Sequence, residues 1–126
     1  MTEYRRLRID EMGLDDVGNV TIIHFRQQRM SDLMEIEELG QELYELIEQP
    51  VHRKLVLDFS GVEFFSSAAI GKLISLNGKL KTRDGVMKLC NVRPDILDVL
   101  HVCRLDSVFD IRRDQADAMA SFETEL

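Results

Sequence analysis

Leu55-Val56-Leu57-Asp58-Phe59-Ser60-Gly61-Val62-Glu63-Phe64-Phe65-Ser66-Ser67-Ala68-Ala69-Ile70-Gly71-Lys72-Leu73-Ile74 reads as strand, turn and helix in succession. Residues 54–59 form a nearly continuous apolar run, the pattern of a strand buried on both faces of a sheet. Ser60 and Gly61 open a turn, and Phe64 and Phe65 are expected to anchor its return in the core. A helix is predicted from about Ser66, with Ile70, Leu73, Ile74, Asn77 and Leu80 on its buried face. A buried strand feeding a helix is half of a parallel βαβ unit, so this stretch selects an α/β layer fold and makes residues 54–59 its central strand. The residues after Phe65 then lie at the carboxyl end of that strand, where sites on such sheets gather.

The rest of the chain continues the alternation. Upstream, Tyr4-Arg5-Arg6-Leu7-Arg8-Ile9 and Val20-Thr21-Ile22-Ile23-His24-Phe25 read as two strands, with Gly13, Asp15, Asp16, Gly18 and Asn19 supplying turn residues between them. From Leu33 the apolar period changes: Leu33, Ile36, Leu39, Gly40, Leu43, Leu46 and Ile47 share one helix face, with Ser31 or Asp32 as N-cap and Pro50 as the stop. Downstream, Gly85 ends the second helix, Val86-Met87-Lys88-Leu89-Cys90-Asn91-Val92 returns as a strand, and Pro94 opens a third helix reaching about Cys103. Val108-Phe109-Asp110-Ile111 is a last short strand, and residues 113–124 a terminal helix packed through Ala116, Met119, Ala120 and Phe122. The expected fold is α/β: a mixed, mostly parallel sheet opened by two adjacent strands, with about four helices and right-handed crossovers.

Composition narrows the function. With 126 residues, 44% of them hydrophobic, the chain is long enough for one core and too short for several, so residues 1–126 are expected to form a single domain. Acidic side chains outnumber basic ones 23 to 16, a net charge of −7 that repels phosphate backbones and anionic lipid. Direct nucleic-acid binding and membrane insertion are therefore not expected; no apolar run nears the roughly 20 residues of a span, no signal segment follows Met1, and a cytoplasmic location is expected. The excess is local: Asp32, Glu35, Glu37, Glu38, Glu42, Glu45 and Glu48 fall together with no Lys or Arg among them. That face is either simply solvated or a docking surface for a basic partner. Cys90 and Cys103 are too few for a disulfide framework and read as reduced core residues.

Chemistry concentrates at Ser66-Ser67-Ala68-Ala69-Ile70-Gly71. Ser66 suits an N-cap. Ser67, not needed for capping, would present its hydroxyl at the first turn, where the positive end of the helix dipole would stabilise a phosphate. Ala68, Ala69 and Gly71 would let another backbone approach closely. His24, His52 and His101 with the two cysteines lack metal-ligand spacing, and no phosphate loop, nucleophile elbow or HExxH pair occurs, so neither a cofactor, a metal nor a catalytic residue is expected.

The stretch from Leu55 to Ile74 resembles the core signature of the STAS family, the bacterial anti-sigma factor antagonists: an apolar strand, Asp-Leu-Ser, Val, Phe-Ile, then Asp-Ser-Ser/Thr-Gly-Leu-Gly. The order of elements from about Tyr4 to about Thr124 fits the same family. The resemblance implies a non-enzymatic partner switch. Its non-phosphorylated form binds an anti-sigma factor that is also a serine kinase, releasing a sigma factor; phosphorylation weakens the complex and a phosphatase restores it. The family's phosphoserine falls on Ser67, its strand-end aspartate on Asp58 and a glycine on Gly71, so the implied partner-binding residues are Asp58, Ser66, Ser67, Ala68, Ala69, Gly71 and Lys72. Ser66 replaces the family's aspartate before the phosphoserine, Ala68 the following Ser/Thr and Ala69 the glycine; residues 24–32 lack the usual Leu-Asp. The isolated protein is expected to be a monomer. Two alternatives remain open: an unphosphorylated STAS scaffold subunit of a larger sensory or transport assembly, and a receiver domain phosphorylated on Asp58, with Asp10 and Glu11 completing an acidic pocket.

Overall fold

The computed structural model describes residues 4–14 and 18–123; Asp15 and Asp16 of the predicted turn, residues 1–3 and Thr124 lie outside them. Two eight-residue strands open the chain, β1 (Leu7–Leu14) and β2 (Gly18–Phe25). They pair antiparallel with Leu7 opposite Phe25 and Leu14 opposite Gly18, so β1 runs past the predicted end at Ile9 and takes Gly13 into the ladder. Gly18, at φ +82°, occupies the left-handed region that a side chain would strain.

A two-residue β3 (Arg29–Met30) leads into α1 (Leu33–Glu48), and the central β4 (Lys54–Asp58) into a two-residue β5 (Phe64–Phe65) and α2 (Ser67–Lys81). β6 (Val86–Cys90), α3 (Pro94–Val102), a single 3₁₀ turn (Leu105–Ser107), β7 (Asp110–Ile111) and α4 (Gln115–Glu123) complete the fold. The main sheet has the order β1-β2-β4-β6-β7, with every pair after the first parallel. β4 is central, as its unbroken apolar run requires, since strands covered on both faces cannot alternate.

α1, α2 and α3 cover one face over a core of Leu7, Ile23, Leu55, Leu57, Met87 and Leu89. α4 covers the other, laying Ala118 and Phe122 on Val20, Ile22, Val56 and Cys90. Lys88, fully buried in β6, pairs with Asp110 at 2.8 Å and lies 4.5 Å from the Phe122 ring centroid, so its charge is compensated under α4.

Several sequence assignments are corrected. Leu33, the first residue of α1, is 68% exposed, ahead of the buried stripe that starts at Ile36. Ile74 is also exposed, its place on the buried face of α2 taken by Leu76. In α4 the inward residues are Ala118, Ser121 and Phe122 with Met119 packed beside them, an i, i+3, i+4 stripe; Ala116 and Ala120 lie off that stripe, in solvent. Cys90 is buried but Cys103, at the exposed end of α3, is not a core residue. The acidic face of α1 is solvated, as the simpler expectation had it, and part of its charge is already paired within the chain. Arg6 reaches Glu38 at 2.7 Å and Glu35 at 3.6 Å and donates its backbone N–H to Glu42, while Glu37 holds Lys72 and Glu48 holds Arg83.

Candidate functional site

The site begins with a device invisible to periodicity. β3 and β5 form a separate parallel pair, Arg29 opposite Phe64 and Met30 opposite Phe65. Each is followed within a few residues by a helix, so the starts of α1 and α2 are held side by side at the same end of the molecule. Both are capped: Asp32 accepts from the amides of Met34 and Glu35, and Ser66 Oγ from that of Ala69 at 3.2 Å. The Ser66 N–H in turn donates to Met30 O at 2.9 Å, tying the cap to the neighbouring strand. Beneath them Phe25, Phe59 and Phe65 meet with ring centroids 5.0–5.9 Å apart, joining the ends of β2 and β4 to β5.

Ser67, the first residue of α2, is exposed, as are Ala68 and Gly71. A Cβ on Gly71 would meet nothing within 4 Å, so this strip is open to a partner's approach. Lys72 is half-buried, its stem crossing α1 over Gly40, where a Cβ would stand 2.6 Å from Lys72 Cδ, and its Nζ is 2.9 Å from Glu37. Exposed Leu33, Met34 and Phe64, with Arg29 4.7 Å over the Phe64 ring, belong to the elements that the β3–β5 pair brings to this end. Leu33 and Phe64 were expected in the core and stand in solvent instead, whereas Met34, beside the helix start, suits either core packing or a pliable contact edge by sequence and takes the exposed place.

Two of the implied contact residues lie elsewhere. Ala69 has no exposed surface; its methyl packs into the core, which explains why a small side chain is needed but removes it from any contact surface. Asp58 is also buried and functions as a knot: its carboxylate accepts from Ser60 N at 2.9 Å, Asn91 Nδ2 at 3.0 Å and Gln115 Nε2 at 2.8 Å, with His24 Nδ1 3.6 Å away. Burial alone would raise the Asp58 pKa, but these donors outweigh it and hold the carboxyl below its ordinary range. The knot fastens the ends of β4 and β6 to the start of α4. Asn91 donates from φ +55°, a left-handed conformation that asparagine tolerates better than most residues.

This arrangement also disposes of the receiver alternative. β1 pairs antiparallel with β2 instead of leading into a helix, and Asp58 is enclosed by amide donors. Among the described residues, no group of three or more His, Cys, Asp or Glu side chains is placed to hold a metal, and no helix is long and apolar enough to cross a membrane.

The STAS-domain family profile matches residues 12–118, and the chain belongs to that family. BtrV of Bordetella bronchiseptica, assigned there as a candidate anti-sigma factor antagonist, is 27% identical over 90 residues, covering 71% of this chain and 77% of the relative. An anti-sigma-factor antagonist (STAS) domain protein from Planctomyces limnophilus superimposes with a TM-score of 0.76 at 27% identity, covering 93% of this chain and 97% of that one. The phosphorylated form of the Bacillus cell-fate determinant SpoIIAA gives a TM-score of 0.66 at 16% identity, covering 91% and 97%, a likeness of fold.

Proposed function

We propose that this chain is an anti-sigma factor antagonist that works as a phosphorylation-controlled partner switch with Ser67 as the switch residue. The observation that carries the reading is the placement of Ser67: exposed, first in α2, in a helix turn without acidic residues, and at the end of the molecule where two helix starts meet. In the non-phosphorylated state the strip of Ser67, Ala68 and Gly71 receives an anti-sigma factor, and the sigma factor is released. An anti-sigma factor with serine kinase activity transfers the γ-phosphoryl group of ATP to Ser67 Oγ, the serine proton leaving to a base of the kinase and ADP departing. A phosphatase reverses the modification. The chain contributes no catalysis of its own and acts in the cytoplasm.

Physical chemistry supports the direction of the switch. A dianion at Ser67 is tolerated by the folded chain, because the helix N-terminus stabilises it by roughly 0.3–2 kcal/mol. The same charge on a close, water-excluding contact surface is buried without a partner and costs several kcal/mol. Interface desolvation wins.

The test is incubation with the cognate kinase and ATP, followed by intact-mass and fragment spectra. One phosphate on Ser67, absent in Ser67→Ala, is expected; modification at another residue overturns the assignment. The scaffold reading is favoured by one observation: Ser66, where the family carries aspartate, is consumed as a cap and leaves no carboxylate beside Ser67. A native pull-down that returns a multi-subunit assembly and no kinase-type anti-sigma factor would establish that reading instead.

A further inference from the structure

β1 is an edge strand of eight residues, and a groove of about 860 Å³ runs beside it, lined by Leu7, Ile9 and Glu11 along the strand and by Leu46 and His52 behind it. The backbone parity of this edge is known. Arg26 N donates to Arg6 O at 2.9 Å, so the Arg6 carbonyl and, by antiparallel alternation, the N–H and C=O of Arg8 and Asp10 face β2, while the Arg6 N–H goes to Glu42. Leu7, Ile9 and Glu11 therefore direct theirs outward. A long strand that presents such a row is a template for another strand.

Which strand fits is decided by charge. We propose that the chain forms a twofold-symmetric homodimer in which β1 pairs antiparallel with β1 of a second copy, centred on Ile9. In that register the outward residues Leu7, Ile9 and Glu11 supply the hydrogen-bonded positions. Arg8 falls opposite the second copy's Asp10, and Asp10 opposite its Arg8, at the non-hydrogen-bonded positions where side chains come closest. Every neighbouring register loses this match. An axis at Arg8 or Asp10 sets like charges against each other, an axis at Leu7 sets Arg8 against Arg6, and an axis at Glu11 sets Asp10 against Met12. Arg8 and Asp10 are about half exposed and 2.8 Å apart within one copy, on the α4 face of the sheet, so pairing two copies extends an existing ion pair into a ring of four charges. Half-buried Ile9, which faces the α1 side, meets its own symmetry mate and loses solvent contact.

One group must yield: Arg26 Nε donates to Leu7 O across this edge and swings aside or shares the carbonyl when the second strand arrives. The dimer joins two sheets into one of ten strands, leaves α2 of both copies uncovered, and replaces the monomer expected from the sequence. It does not rest on Ser67.

Sedimentation equilibrium of the full chain, from micromolar to millimolar concentration, tests the proposal. Reversible dimerisation that weakens with added salt is expected. Arg8→Asp should raise the dimer Kd by about tenfold or more, since two favourable cross-strand pairs become two repulsive ones. The exchange Arg8→Asp with Asp10→Arg should restore the wild-type value to within about threefold. Ile9→Pro removes an outward-facing amide and should abolish the dimer while circular dichroism shows the fold retained, because proline is tolerated on the free side of an edge strand. A wild-type chain that stays monomeric throughout overturns the proposal. So does a dimer indifferent to Arg8→Asp, or a folded double variant in which association does not return.

Discussion

Asp58 and Ser67 stand at opposite ends of one turn, and the structure gives them opposite relations to water. Asp58 is sealed under Asn91, Gln115 and Ser60, with its charge matched by donors on three different elements. Ser67 is exposed on the first turn of α2. Both belong to the same motif, yet one residue ties the fold together at the carboxyl end of the sheet, and the other stands in solvent, where the phosphate of the proposed function would break no contact of the fold. A switch needs this division, because a residue that carried both tasks would unfold the domain when modified.

The sharpest way to break the division is Asp58→Ala. It removes a buried carboxylate that satisfies three partly buried donors, and an unfolding free energy lower by about 3 kcal/mol in urea titration is expected. Because the folded state holds the Asp58 carboxyl below its ordinary value, its contribution is complete above the ordinary carboxylate pKa and lost as the pH falls through the folded value. The steep acid limb of wild-type stability should therefore flatten in the variant.

Phosphorylation of Ser67 should do the reverse, weakening binding to the anti-sigma partner about a hundredfold, about 2.7 kcal/mol, with a melting temperature that is not lowered and rises by at most a few degrees. Ser67→Asp should reproduce part of that loss, since a carboxylate carries less charge and fewer acceptor oxygens. Titration calorimetry measures both, and binding as tight as that of the unmodified chain would refute the switch.

Ser66 stands between the two cases. Ser66→Ala removes the acceptor for the Ala69 amide and should cost about 1 kcal/mol of stability, read from the urea midpoint, with Ser67 still modifiable.

The smallest effect belongs to His52, well away from both. It is buried against Thr21 Oγ1 at 2.7 Å, and burial, only partly opposed by Glu11, lowers its pKa. The unfolded chain thus binds a proton that the folded chain resists, and stability should decline gently as the pH falls from about 7 towards 5. His52→Gln should lose that slope. The cysteines separate in the same way: burial, with Asp58 and Asp114 nearby, pushes the Cys90 thiol up to about 12, whereas Cys103 is exposed.

The order of the major elements and the central place of β4 were legible because they follow from local patterns: a nearly continuous apolar run, a change of period at Leu33, and caps at Ser31 or Asp32 and at Ser66, of which the structure chose Asp32 for the first. The N-cap role of Ser66 and the exposure of Ser67 also followed from their place at a helix start. What the sequence could not decide were facts about neighbours distant along the chain. The β3–β5 pair is too short to carry a periodic signal, yet it aligns two helix starts and brings Leu33, Met34 and Phe64 to that end of the molecule. The burial of Asp58 depends on Asn91 and Gln115 arriving from other elements, and the pairing of four of the α1 acids, Glu35, Glu37, Glu38 and Glu48, depends on Arg6, Lys72 and Arg83. Hydrophobic period reports which face of an element turns inward; which polar groups meet across the fold is set by sheet register and helix packing, and these exist only once the chain has closed on itself.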